Sequence, residues 1–255
     1  MSADPGSVPE AGGSSLTVYG DVTDPLGRIA SLRADALRAA GIPLEWRSVV
    51  QHVSTRVTAA PATAETRQHV AEVERWHQDR ALPGERVAWP TPHSVPCPRP
   101  PVAGHAEAVG AGVGDHVRRV LVDAYWGDGL DIGNPDVLRH LLVLPILHGN
   151  PRADVLQQDG YAVAINGDPI TTDAWRRIRH WRQEWELLGS PALPVAVDGD
   201  RVHSGAEAVT HLGSLIEERR LPFPTVNPFP LPAMPLPAQR LSVGRPGRRP
   251  AWWDA

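Results

Sequence analysis

The chain has 255 residues, 42% of them apolar, and a formal net charge of -4. That length suffices for one domain with a proper core, and the mild acidity argues against general affinity for nucleic acid. With Cys97 as the one cysteine, an intrachain disulfide and a Cys-based zinc site are excluded.

Residues 1–15 are polar and rich in Gly, Pro and Ser, so a disordered N-terminus without a signal peptide's apolar core is expected. No apolar stretch approaches the roughly 20 residues of a membrane span, and a cytoplasmic protein without a membrane partner is expected. Leu16-Thr17-Val18-Tyr19-Gly20-Asp21 reads as a first strand. Asp24-Pro25 then supplies an N-cap with proline at the first helical position. Ile29, Leu32, Ala36, Leu37 and Ala40 recur at helical spacing until Gly41-Ile42-Pro43 ends the helix. Leu44 to Val50 alternates apolar and polar side chains as a second strand. A strand, a crossover helix and a strand in this order imply parallel pairing.

A mostly helical stretch follows over residues 62–188. It predicts helices at 62–80 and 106–126, separated by a Pro-rich loop at 86–101 that holds Cys97. Asn134-Pro135 caps a third helix carrying Val137, Leu138, Leu141 and Leu142, and residues 154–158 suggest a short fourth. Residues 161–165 read as extended and Asn166-Gly167 as a turn; Thr172 or Asp173 then caps a helix over 174–188. Trp181 and Trp185 share one face of that helix and are read as core. Leu193-Pro194-Val195-Ala196-Val197 and Arg201-Val202-His203 form a hairpin, and residues 205–218 a closing helix. From residue 220 to 255 prolines arrive every few positions, which predicts an extended or disordered tail ending in Trp252-Trp253.

Three segments together resemble the DsbA-like thioredoxin superfamily, especially its cytoplasmic branch of FrnE-like proteins and 2-hydroxychromene-2-carboxylate isomerases. The first runs from Val18-Tyr19-Gly20-Asp21 through Asp24-Pro25 to Glu45-Trp46-Arg47-Ser48-Val49. The second is Val120-Leu121-Val122-Asp123-Ala124-Tyr125-Trp126 with Asp131-Ile132 and Pro135-Asp136-Val137-Leu138, and the third Leu193-Pro194-Val195-Ala196-Val197-Asp198-Gly199 with Gly205 and Leu212. The resemblance implies an α/β thioredoxin fold over residues 16–219. Its core would be 16–52 and 190–219, interrupted by the helical insertion at 62–188 and followed by the Pro-rich tail. It also implies that Pro194 is cis and faces the turn where such proteins carry Cys-Pro-x-Cys or Cys-Pro-x-Ser.

In this chain Asp24 stands at the nucleophile position of that motif and Gly27 at the resolving position. A carboxylate cannot enter thiol–disulfide exchange, so the expectation is a redox-inactive protein with no catalytic residue in the motif. Its expected ligand groove is formed by Asp24, Pro25, Gly27, Leu193 and Pro194. By resemblance, the groove would receive a small thiol, an aromatic small molecule or a peptide. A low-molecular-weight thiol is the one cofactor left open, as is a homodimer. The alternative is a thiol-cofactor-dependent isomerase or transferase. Asp24 as a structural N-cap is preferred over Asp24 as a ligand contact, Arg28 is expected to be solvated, and Cys97 inert. The eleven histidines form no His-Glu-x-x-His motif, so no metal is expected.

Overall fold

A computed structural model describes residues 16–51, 58–90, 93–149 and 171–231. The expectations for residues 1–15, 154–158, 161–167 and the tail beyond 231 lie outside the described residues. The sheet is built from β1 (Leu16–Gly20), β2 (Leu44–Ser48), β5 (Val195–Asp198) and β6 (Arg201–Ser204), in the order β2-β1-β5-β6. β1 pairs parallel with β2, Val18 opposite Trp46, and antiparallel with β5, Val18 opposite Ala196. β5 and β6 form the expected hairpin.

Successive residues of a strand face opposite sides. Val18 and Ala196 therefore pack with α1 (Pro25–Ala39) and the closing helix, while Tyr19 and Val195 face the other way. On that second face they meet Ala106, Trp181, Trp185 and Leu193. The two tryptophans are buried as expected, and Trp185 Nε1 donates to the Pro191 carbonyl at 3.1 Å. With both faces covered, the central strand β1 is buried almost throughout.

Four helices lie between the two halves of the sheet in sequence, among the described residues, before the last helix of that stretch. They are α2 (Ala64–Gln78), α3 (Arg99–Gly110), α4 (Gly114–Trp126) and α5 (Pro135–His148); α6 (Thr172–Leu187) then leads back to the sheet. A two-residue ladder joins β3 (Ala60–Pro61) to β4 (Ser94–Val95). α3, α4 and α5 carry their own core, centred on Leu121, Leu138, Leu142 and Ile146. The chain closes with α7 (Ala206–Arg219).

The structure corrects three expectations. The helix expected at 106–126 is two helices, because the chain turns at Gly112, whose φ of +79° suits glycine. The Pro-rich loop ends early: Pro100 and Pro101 occupy the first turn of α3, where no N–H is needed. The cap of α6 is Thr171, whose hydroxyl accepts from Ala174 N at 3.1 Å, rather than Thr172 or Asp173.

Helix α1 departs most from a simple amphipathic pattern. Ser31, Arg33 and Asp35 are buried beside Ile29 and Leu37, whereas Ala40 is exposed. Arg33 donates through Nε and Nη2 to the two oxygens of Glu85, both at 2.8 Å, and through Nη1 to the Val209 carbonyl at 2.8 Å. One guanidinium thus joins α1, the loop after α2, and α7.

Burial by itself would raise the Glu85 pKa, but hydrogen bonds from Arg33 and His77 outweigh it and hold the group at about 2, well below the ordinary glutamate value of 4.5. A depressed folded pKa gives stability that is complete above the unfolded pKa and is lost as pH falls through the folded one. Glu85→Ala is expected to cost about 3–5 kcal/mol at neutral pH, since Arg33 stays buried without its carboxylate. Glu85→Gln should flatten the fall in stability between pH 4.5 and about 2. Denaturant titrations across that pH range check both.

Candidate functional site

The turn after β1 brings two carboxylates together. Asp21 Oδ1 accepts from Thr23 N at 2.8 Å and from Thr23 Oγ1 at 2.7 Å. Asp24, in an extended conformation, accepts from Gly27 N through Oδ1 at 2.9 Å and so caps α1. Its Oδ2 lies 3.6 Å from His69 Nε2 on α2. Gly27 is packed so tightly that an added Cβ would stand 2.1 Å from the Asp21 carbonyl oxygen. Glycine is therefore required at this position by the close approach of the helix to the turn.

Asp21, Thr23, Asp24 and His69 line a cavity of about 310 Å³. Asp21, Thr23, Asp24 and Pro25 line it from the turn, and Leu193, followed by a cis bond to Pro194, lines it as well. Thr66 and His69 come from α2, and Tyr125 with Trp126 from the end of α4. Of the five groove residues read from the sequence, Asp24, Pro25 and Leu193 meet at this cavity. Gly27 lies behind the wall as the cap's donor, and the Pro194 carbonyl accepts from Gly205 N at 2.8 Å. His69 lies tens of residues from the turn and belongs to no motif, and Tyr125, though part of the second resembling segment, carries no local signal that it reaches the turn. Asp21 was legible only as the end of a strand.

Burial raises the Asp21 pKa to about 6; hydrogen bonds from Thr23 offset part of the effect, and the charge of Asp24 adds to it. Burial likewise raises the Tyr125 pKa, reinforced by Asp21 and Asp131, and its hydroxyl donates to the Ser94 carbonyl at 3.2 Å. The Asp24 carboxylate raises the pKa of His69 against the opposing effect of burial. The cavity thus combines groups able to hold or release a proton near neutrality with an apolar, aromatic wall.

Arg28 overturns the expectation of a solvated side chain. It is 7% exposed, and its guanidinium carbon sits 5.6 Å from the Trp89 ring and 5.2 Å from that of Trp126. Its Nε and Nη1 have no hydrogen-bond partner among the described residues, and burial lowers its pKa to about 10. The two indole faces supply the compensation for desolvating this cation. Cys97 is 3% exposed, between Pro96 and Pro98, which line the cavity. Among the described residues no group of three or more His, Cys, Asp or Glu is arranged to hold a metal.

No family model matches the chain, and no curated protein does so. Several solved structures do. A probable DsbA oxidoreductase from Streptomyces coelicolor matches with a TM-score of 0.58 and 16% identity, over 83% of this chain and 92% of that one. A 2-hydroxychromene-2-carboxylate isomerase matches with a TM-score of 0.50 and 14% identity, over 80% and 95%. A cytosolic disulfide reductase, DsbM from Pseudomonas aeruginosa, solved with GSH, matches with a TM-score of 0.50 and 18% identity, over 81% and 98%.

The raised Asp21 pKa has a definite sign. Because it exceeds the ordinary aspartate value of 3.8 in the folded state, the native protein binds the extra proton between pH 3.8 and about 6. The ionised carboxylate therefore costs stability above about pH 6, and that cost vanishes below 3.8. Asp21→Asn, which keeps an oxygen for Thr23, is expected to stabilise the protein by about 1–3 kcal/mol at about pH 8 and to change little at about pH 3.5. Thermal or denaturant unfolding at the two pH values checks this.

Proposed function

With the DsbA-like thioredoxin fold as its scaffold, we propose that this chain is a binding protein that performs no thiol–disulfide exchange. It receives a small thiol, an aromatic small molecule or a short peptide in the cavity beside Asp24 and Leu193. One observation carries the reading: the N-terminus of α1 is closed by the Asp24 carboxylate, which takes the Gly27 N–H. In the oxidoreductases that the chain resembles, a helix N-terminus activates a thiolate at that place. Here the same dipole holds a cap, and a carboxylate offers no sulfur to exchange. The only thiol, Cys97, is buried behind the cavity wall. Tyr125, Trp126, Leu193 and Val70 leave an apolar surface suited to an aromatic body or a thiol's carbon skeleton. The single cysteine suits a reducing compartment, and we place the protein in the cytoplasm on that ground.

A second reading, an isomerase or transferase using a bound thiol, is favoured by Asp21. A carboxyl with a pKa of about 6 facing a cavity can pass a proton at neutral pH without sulfur in the protein. Loss of GSH-dependent turnover of an aromatic substrate in Asp21→Asn, with the fold intact, would support this reading over simple binding.

The binding reading is tested by thermal unfolding with GSH, its disulfide, an aromatic carboxylic acid and an aromatic amine. A ligand at about 100 times its dissociation constant stabilises by about 2.7 kcal/mol, a shift of several degrees. The expected result is a shift with at least one probe that is lost in Thr66→Trp, whose larger side chain fills the cavity. No shift with any probe would overturn the reading. In parallel, Cys97 in the folded protein should resist a thiol reagent that reacts readily after unfolding. Rapid modification of the native state would overturn the redox-inactive assignment.

A further inference from the structure

A second cavity, of about 340 Å³, shares no lining residue with the first. It lies where the first turn of α4 meets β2 and the chain segment that follows α7. That segment leaves α7 and crosses to α4, where the Phe229 carbonyl oxygen stands 2.6 Å from His116 Nδ1 and Asn227 Nδ2 donates to the His116 carbonyl at 3.2 Å. Phe229 and Pro230 thereby become one wall of the cavity, and Trp46 and Val109 contribute to the other.

The polar end of this cavity is the N-terminus of α4. α4 has 13 residues and no side-chain cap among the described residues: its N-cap position is Val113, which has no side-chain oxygen to offer. Gly114, Asp115 and His116, which carry the leading N–H groups, line the cavity. A separate observation points to a ligand at the same place. His105 of α3, 1% exposed, also lines the cavity, and its Nδ1 has no hydrogen-bond partner among the described residues. Buried polar nitrogens are nearly always paired in native proteins. Burial, with the charge of Arg118 adding to it, drives the His105 pKa down to about 3, so the ring is neutral and offers one donor and one acceptor.

The nearby acidic groups are already balanced. Asp115 is paired with Arg38 at 2.9 Å and with Arg118 at 3.4 Å, and Glu45 with Arg47 at 2.7 Å. Asp115 is the acidic residue in the first turn of α4, and Arg38, which pairs with it, also lines the cavity, so cationic and N–H groups both face this end. We propose that this cavity binds the oxyanion group of a small organic molecule, its oxygens held by the α4 N-terminus and His105 and its apolar body lying between Trp46 and Phe229. The assignment does not depend on the ligand reading of the first cavity.

The test is amide-resolved NMR of the full chain, titrated with inorganic phosphate and separately with benzoate, against chloride at equal ionic strength. A saturable shift of the Gly114, Asp115 and His116 amides with either probe is expected. Binding should weaken about tenfold in His105→Phe, which keeps the aromatic contact with Trp181 but removes both nitrogens. No saturable shift with either probe, or unchanged affinity in His105→Phe, overturns the proposal. Should that variant fail to fold, Phe229→Ala, which opens the outer wall, decides instead: weakened benzoate binding supports the site, and unchanged binding overturns it.

Discussion

The carboxylate of Asp35 is the constraint on which the arrangement of this molecule depends. It is wholly buried on α1, a helix that a simple amphipathic pattern would leave half solvated. An ionised carboxyl cannot remain there without charged partners. Arg118 supplies one at 2.6 Å and Arg119 another at 2.9 Å, both from α4. Arg118 also donates to the Ser31 carbonyl at 2.8 Å. The insertion is thereby fixed to the helix that packs on the sheet. Since α4 is rigid, docking its first half on α1 sets where its far end falls. Tyr125 and Trp126 arrive against the β1–α1 turn, and Trp126 Nε1 donates to the Val22 carbonyl at 2.9 Å. The cavity beside Asp24 is a consequence of that docking.

Asp24 divides its two oxygens between a helix cap and His69, so one side chain stabilises α1 and orders the cavity rim. Asp21, three residues earlier, is enclosed by Thr23 and the cavity wall, and burial holds its proton well above the usual carboxylate range. Arg28 completes the region from behind. Its charge is desolvated between two indoles and adds polarisable packing beneath Trp126.

The segment after α7 gives a second example of one element closing another's surface. A Pro-rich chain has few N–H groups to pair and can run along a surface without a ladder. Here it contributes carbonyls and an aromatic ring in place of a strand, with Phe223 packed against the sheet-side core and Leu231 against the core of the insertion.

Much of the fold was legible in the chain because it rests on local signals. The Asp24-Pro25 and Asn134-Pro135 caps, the alternation in β2 and the turn between β5 and β6 are decided by neighbouring residues, and each appears where those residues put it. The similarity of three separated segments pointed to the DsbA-like thioredoxin fold and to a cis bond before Pro194. The break at Gly112 and the entry of Pro100 and Pro101 into α3 were ambiguous locally, since glycine and proline are compatible with either a loop or a helix end. Tertiary structure alone decided the polar interior. Arg33 reaches Glu85 across 52 residues, Asp35 reaches Arg118 across 83, and Asp24 meets His69 from another helix. No spacing rule encodes such meetings, because a charged side chain on a helix reads as solvent-facing until a second element covers it. The sequence therefore determined the elements and the absence of cysteine from the β1–α1 turn, while packing decided which charges are buried, which proton is held near neutrality, and where the cavities lie.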